Sequence, residues 1–358
     1  MKINLGLDRF SGLYLWALFI IVFSVLAPST FMTATTVHIL ASTQAVAAIA
    51  ALALLIPMVT GQFDLSIGTT ANLSGLIAIS LLVSGFANPM TALIIATLTG
   101  TLIGFINGFI VVKMRVNSFI ATLGMSSIIA AFQIIITNNE EPLPTRNEFF
   151  GALTQTEFFG FQAVILYLII FALAIWWVLE RTPAGRYMHA TGGNPEAARL
   201  TGIRVDMWAW VSLIASGTIS AFAGVLFVSL TGPSLGFGAT LLLPAFAAVF
   251  LGSTQLSPGK MNVWGTLIAI FTLATGVQGL QLITGVQWVA PMFDGVALVA
   301  AVALAVGRER KASKGGGKRG RGGADPDGTA NEVLERLDGV GVDEPSANQF
   351  GPPGKEVV

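Results

Sequence analysis

Apolar residues crowd into ten runs, near 12–28, 36–58, 64–84, 91–112, 117–137, 161–180, 207–230, 240–254, 262–283 and 288–306, with short polar gaps between them. Within each run the apolar character is continuous and does not alternate from one residue to the next. Barrel strands alternate lumen-facing and lipid-facing positions, so these runs predict helices. A helix needs roughly 20 apolar residues to cross a hydrocarbon core of about 30 Å. The expectation is an all-α integral membrane protein of about ten transmembrane helices, forming a membrane domain over 1–306 and a cytoplasmic tail over 307–358.

The gaps carry the orientation. Lys2, Arg9, Lys113, Arg115, Arg181, Arg186, Arg199, Arg204, Lys260, Arg308 and Arg310 fall in alternate gaps, and Arg146 is the one basic residue in the other set. The positive-inside rule then puts both termini in the cytoplasm, which requires an even number of spans. The first run follows only Lys2 and Arg9 and lacks a small-residue cleavage site, so it is expected to be retained as a span.

Composition agrees with that class. Hydrophobic residues make up 54% of the chain and charged residues only 11%, where a soluble domain has about a quarter charged. Net charge is zero, so nothing points to nucleic acid. The absence of cysteine excludes disulfides, thiolate catalysis and Cys-ligated metals. After Val306 the chain turns basic and Gly-rich, then acidic, and such a tail is expected to stay disordered.

The second half repeats the first weakly but in order. Thr60-Gly61-Gln62-Phe63-Asp64-Leu65-Ser66-Ile67-Gly68 opens the third span; Thr231-Gly232-Pro233-Ser234-Leu235-Gly236-Phe237-Gly238 opens the eighth. Ile106-Asn107-Gly108-Phe109 in the fourth span is echoed by Val277-Gln278-Gly279-Leu280 in the ninth. An offset of five spans reverses orientation, so spans 2–5 and 7–10 are expected to form an inverted repeat. Interrupted or short helices at matching positions point to where a transporter handles its solute.

Candidate pathway residues follow from that. Asp64 and Asp294 are the carboxylates nearest the apolar spans; each caps a helix or lines the pathway. Gln62, Asn72, Asn107, Gln133, Gln278 and Gln281 offer hydrogen bonds to a neutral polyhydroxylated solute, with Phe63 or Phe237 giving an apolar face and Ser66 a further pathway candidate. The same amides equally serve to join helices.

The gap between spans six and seven holds a complete short helix. Asn194 is an N-cap, Pro195 suits the first position, Glu196 complements the positive end, and Gly202 stops it after Ala197, Ala198, Arg199, Leu200 and Thr201. Two turns are unstable alone, so lipid headgroups, the rest of the chain or a partner must hold it, a partner being preferred. His38 and His189 fall on opposite sides and cannot share a site. The chain has no phosphate-binding G-x-x-x-x-G-K-[ST] loop and cannot hydrolyse ATP itself.

Taken together, Gly61…Asp64-Leu65-Ser66-Ile67-Gly68, the stretch from Ile106-Asn107-Gly108 through Ser118-Phe119-Ile120-Ala121-Thr122-Leu123-Gly124, and Gly192-Gly193-Asn194…Ala197-Ala198-Arg199-Leu200-Thr201-Gly202-Ile203 resemble one family. It is the permease subunit of monosaccharide ATP-binding-cassette (ABC) importers, of the ribose, xylose and galactose type, over about residues 10–306. The resemblance implies a permease homodimer in a bacterial cytoplasmic membrane, carrying a monosaccharide or small polyol. It also implies an extracytoplasmic solute-binding protein above and separate ATPase subunits below. ATP and Mg would then belong to the ATPase, with no cofactor in this chain, and Asn194–Gly202 would be the coupling helix to it. Asn117-Ser118 stands where many relatives carry Pro, Gln278 where Asn-Gly is usual, and Asp294 where a basic or neutral residue is common. A branched-chain amino-acid permease and an ion-coupled secondary transporter are the alternatives. The Asp64-Leu65-Ser66 signature disfavours the first, and the shortage of intramembrane ionisable groups the second.

Overall fold

A computed structural model describes residues 7–319 apart from 145, 146, 159 and 258. Lys2, Arg146 and the tail from 320 onward lie outside the described residues. The helices are α1 (Leu7–Leu26), α2 (Ala34–Val59), α3 (Ile67–Val83), α4 (Pro89–Gly108), α5 (Ser118–Thr137), α6 (Glu148–Gln155) and α7 (Ala163–Arg181). They continue as α8 (Pro183–Gly193), α9 (Pro195–Leu200), α10 (Val205–Thr231), α11 (Phe237–Ser253), α12 (Val263–Thr284) and α13 (Val289–Arg319). A π-helical turn, Phe109–Lys113, extends α4, and strands β1 (Glu157–Phe158) and β2 (Phe161–Gln162) form a small antiparallel hairpin.

Each of the ten apolar runs forms a helix, and the protein is a helical membrane protein. Among the described residues six helices are long and apolar enough to cross a bilayer, and four shorter apolar ones lie in α1, α3, α11 and α13. Helices α6 and α8 and the hairpin have no counterpart in the sequence reading. These are short and carry no long apolar run, so periodicity over a window of a helix's length passes over them.

The core lies around α2, whose residues from Ala45 to Val59 other than the half-buried Ala47 are buried. Its Ala-rich run keeps side chains short, so neighbours approach closely. α10, the other central helix, packs against α2, α3 and α4. Gly217 of α10 meets Gly100 and Gly104 of α4, and Gly224 meets Ala71 of α3, all at backbone contact. The Gly100, Gly104, Gly108 series is thereby explained, because a Cβ at any of the three would collide with α10, Trp210 included.

Candidate translocation pathway and coupling surface

α3 and α11 each have 17 residues, which at 1.5 Å per residue is about 25 Å and short of the hydrocarbon thickness. Each is preceded by an irregular stretch in which a glycine takes a left-handed backbone, Gly61 at φ 78° and Gly232 at φ 93°. The two helices begin against each other: Gly68 and Gly238 are in mutual backbone contact, and a side chain on either would strike the other's carbonyl.

Irregular backbone inside a membrane needs partners for its N–H and C=O groups. For residues 63–65 they come from α5. Ser118 Oγ accepts from the Phe63 amide at 3.0 Å and Thr122 Oγ1 from the Leu65 amide at 2.9 Å. Thr122 sits over the Phe63 carbonyl as well, at 3.3 Å. This gives the Ser118…Thr122 stretch a physical role that its sequence alone does not disclose. Thr60 closes the arrangement below, its Oγ1 2.9 Å from Ser212 Oγ of α10.

Asp64 is 1% exposed. Its Oδ1 accepts from the Ser66 amide at 3.0 Å and from Ser66 Oγ at 2.6 Å, and its Oδ2 accepts from Ser216 Oγ of α10 at 2.8 Å. Asn107 Nδ2 of α4 completes the cluster by donating to Ser66 Oγ at 2.9 Å. The expected cap therefore lies one step aside: α3 starts after Ser66, and Asp64 braces the turn before it while bonding across to α10. Ser212 and Ser216 escape a sequence reading, since serines in an apolar run carry no signal until the facing helix is known.

A further amide cluster ties the two broken entrances together. Asn72 Nδ2 donates to the Leu235 carbonyl at 2.5 Å and to Gln133 Oε1 at 3.3 Å, while Gln133 Nε2 donates to the Thr69 carbonyl at 3.0 Å. Phe237 is buried and stacks on Phe227, centroids 3.7 Å apart, and Phe63 stacks on Phe246 at 6.4 Å. The Asn72 and Asn107 amide oxygens are buried without a partner among the described residues. Gln62, Gln278, Gln281 and Asp294 are half-buried and join neither cluster. Asp294 is the sixth residue of α13 rather than its cap and makes no hydrogen bond or ion pair among the described residues.

The short helix forms as α9, ending at Leu200 with Thr201 as its C-cap. Asn194 Oδ1 accepts from the Ala197 amide at 3.0 Å, and Gly202 at φ 84° turns the chain away. Ala198 faces inward at 5% exposure, whereas Leu200 is 90% exposed. Just before it, Gly192 packs on the backbone of Val59 and Gly61, at the end of α2 and the start of the irregular stretch. Gly192 thus permits a close approach between the segment leading into α9 and the segment leading into α3, whereas Gly193 faces open space.

Comparison with known proteins decides the family. The model of the family described as "Branched-chain amino acid transport system / permease component" matches residues 36–302. The chain belongs to that permease family. Among curated relatives it is 34% identical to the ribose import permease protein of Escherichia coli K12 over 271 residues, 74% of this chain and 83% of the relative. It is 29% identical to the fructose import permease protein of Rhizobium meliloti over 296 residues, 80% and 81% of the two chains. With the autoinducer 2 import system permease protein of Photorhabdus luminescens it shares 30% over 250 residues, 68% and 73%. No solved structure matches the chain. The family match takes in both broken-helix entrances and α9.

Proposed function

We propose that this chain is the membrane-spanning subunit of an ABC importer for a monosaccharide or similar small polyol, working with separate ATPase subunits, an extracytoplasmic solute-binding protein and a second copy of itself. The relatives' names, ribose, fructose and allose import or transport among them, support a polyhydroxylated neutral solute over a branched-chain amino acid. In this reading the ten apolar helices are all spans, both termini are cytoplasmic, and spans 2–5 and 7–10 are inverted repeats. The matched lengths of α3 and α11, and the left-handed glycine before each, favour the repeat. Serines, amides and Phe rings around the two entrances suit a solute that must leave water without carrying charge across.

The observation that carries the coupling role is α9. A capped two-turn helix that leaves Leu200 almost completely exposed presents an apolar side chain its own chain does not cover, and a groove on the ATPase would cover it. The chain has no cysteine, so Leu200→Cys gives a single reactive thiol. It should react with a membrane-impermeant maleimide in inside-out vesicles and be protected when the ATPase binds. Labelling from the cell exterior, or equal labelling with and without ATPase, would falsify the assignment. Glu196→Arg with Leu200→Asp should abolish uptake while leaving insertion intact. Ala198, being buried, is a poor probe of docking.

A further inference from the structure

One carboxylate at the start of α10 gathers three parts of the chain. Arg199, in α9, donates from Nη2 to Asp206 Oδ1 at 2.9 Å. Arg115 grips the same carboxylate with both arms, Nη2 to Oδ2 at 2.9 Å and Nη1 to Oδ1 at 3.3 Å. Arg199 also reaches back one turn to Glu196 Oε1 at 3.2 Å. Arg115 stands between the π-helical turn and α5, in a left-handed conformation with φ 58° that a branched or bulky side chain avoids. The side chains of Arg115, Arg199 and Asp206 are 65%, 43% and 44% exposed, and ion pairs that wet contribute little to stability. The junction therefore adds little to folding stability, which leaves its geometry to be explained.

What the geometry joins is informative. From Asp206, α10 runs on to Ser212 and Ser216, the two hydroxyls that hold Thr60 and Asp64. The separation from Asp206 to Ser216 is about 15 Å along the axis. α10 is one continuous helix over that distance, so Asp206 and Ser216 belong to a single element. The other anchor of α9 is the packing of Gly192 against Val59 and Gly61, so the short helix is fastened on both sides to segments that lead to the α3 entrance.

We propose that Asp206 is a positioning residue for energy coupling: it transfers movement of α9 to α10 and to the α4–α5 turn together, so that the α3 entrance follows the ATPase. This rests on the coupling reading of α9 given above. A carboxylate is required, because two guanidinium groups must share one acceptor pair. Glu keeps the charge and both oxygens, Asn keeps one oxygen and no charge, and Ala keeps neither.

The test uses the permease with its ATPase and solute-binding protein in nanodiscs, measuring ATP hydrolysis stimulated by the binding protein and a mixture of D-ribose, D-fructose and D-allose. Asp206→Ala should lower that stimulation about fivefold or more, while basal hydrolysis and the amount of bound ATPase stay as in wild type. Asp206→Glu should restore at least about half of the stimulation, which loss of a merely structural contact would not predict. Arg115→Gln, outside α9, should lower it about twofold or more. Wild-type stimulation in Asp206→Ala, or loss of the ATPase from that complex, overturns the proposal. Should Asp206→Ala fold poorly, wild-type stimulation in Arg115→Gln overturns it. Absence of stimulation in the wild-type complex defeats the sugar-importer reading instead.

Discussion

Asp64 illustrates how a carboxyl group is accommodated inside an apolar bundle. Three donors converge on its two oxygens, so each oxygen is paired by its neighbours. Replacing Asp64 with Leu should destabilise the protein by about 2–4 kcal/mol, since Ser66 and Ser216 lose their acceptor in a buried place. Asp64→Asn keeps an acceptor for the Ser66 amide and should fall between. Thermal unfolding of the detergent-purified protein measures both, and equal midpoints for Leu and wild type would refute the account. From sequence, Asp64, Ser66 and Asn107 are each recognisable as polar interruptions. Their clustering is not, because it depends on α10 facing α3, and nothing local in Ser212 or Ser216 encodes that.

Elements in this protein are defined by where glycine lets them touch. The contact between Gly68 and Gly238 brings two helix starts together with no room for a methyl group. Gly68→Ala should therefore cost about 1–3 kcal/mol through forced separation of the helices, read as a lower midpoint and a lower yield of monodisperse protein. Gly124→Ala on α5 is the control: nothing lies within 4 Å of its added Cβ, and it should match wild type or exceed it slightly through better helix propensity. Equal behaviour of the two variants would remove the steric argument. The long helices and the cap of α9 are readable in advance, since hydropathy and N-cap chemistry are local. Helix α6 and the π-helical turn are not: α6 is only eight residues long, and the turn has the apolar composition of the regular helix that precedes it.

At the scale of the whole molecule, the question is what drives the solute. Asp64 and Asp294 are the carboxylates nearest the apolar spans, which leaves little for a proton or ion relay. Uptake by cells expressing the complete system should collapse when ATP is depleted and persist when the proton gradient is dissipated with ATP maintained. The opposite pattern would favour an ion-coupled carrier. Both termini should be reached by impermeant reagents only from the cytoplasmic side; termini on opposite sides would overturn the even span count, and both outside would overturn the orientation. The membrane class and the family are legible from the spacing of apolar runs and a few motifs. Solute identity is not, because the side chains near the entrances mostly bond to one another.

The loan of Ser118 and Thr122 to the backbone of residues 63–65 has a kinematic consequence. Two hydrogen bonds tie helix α5 to that stretch, so tilting the first should carry the other, and separating them would leave two amides needing water or new partners.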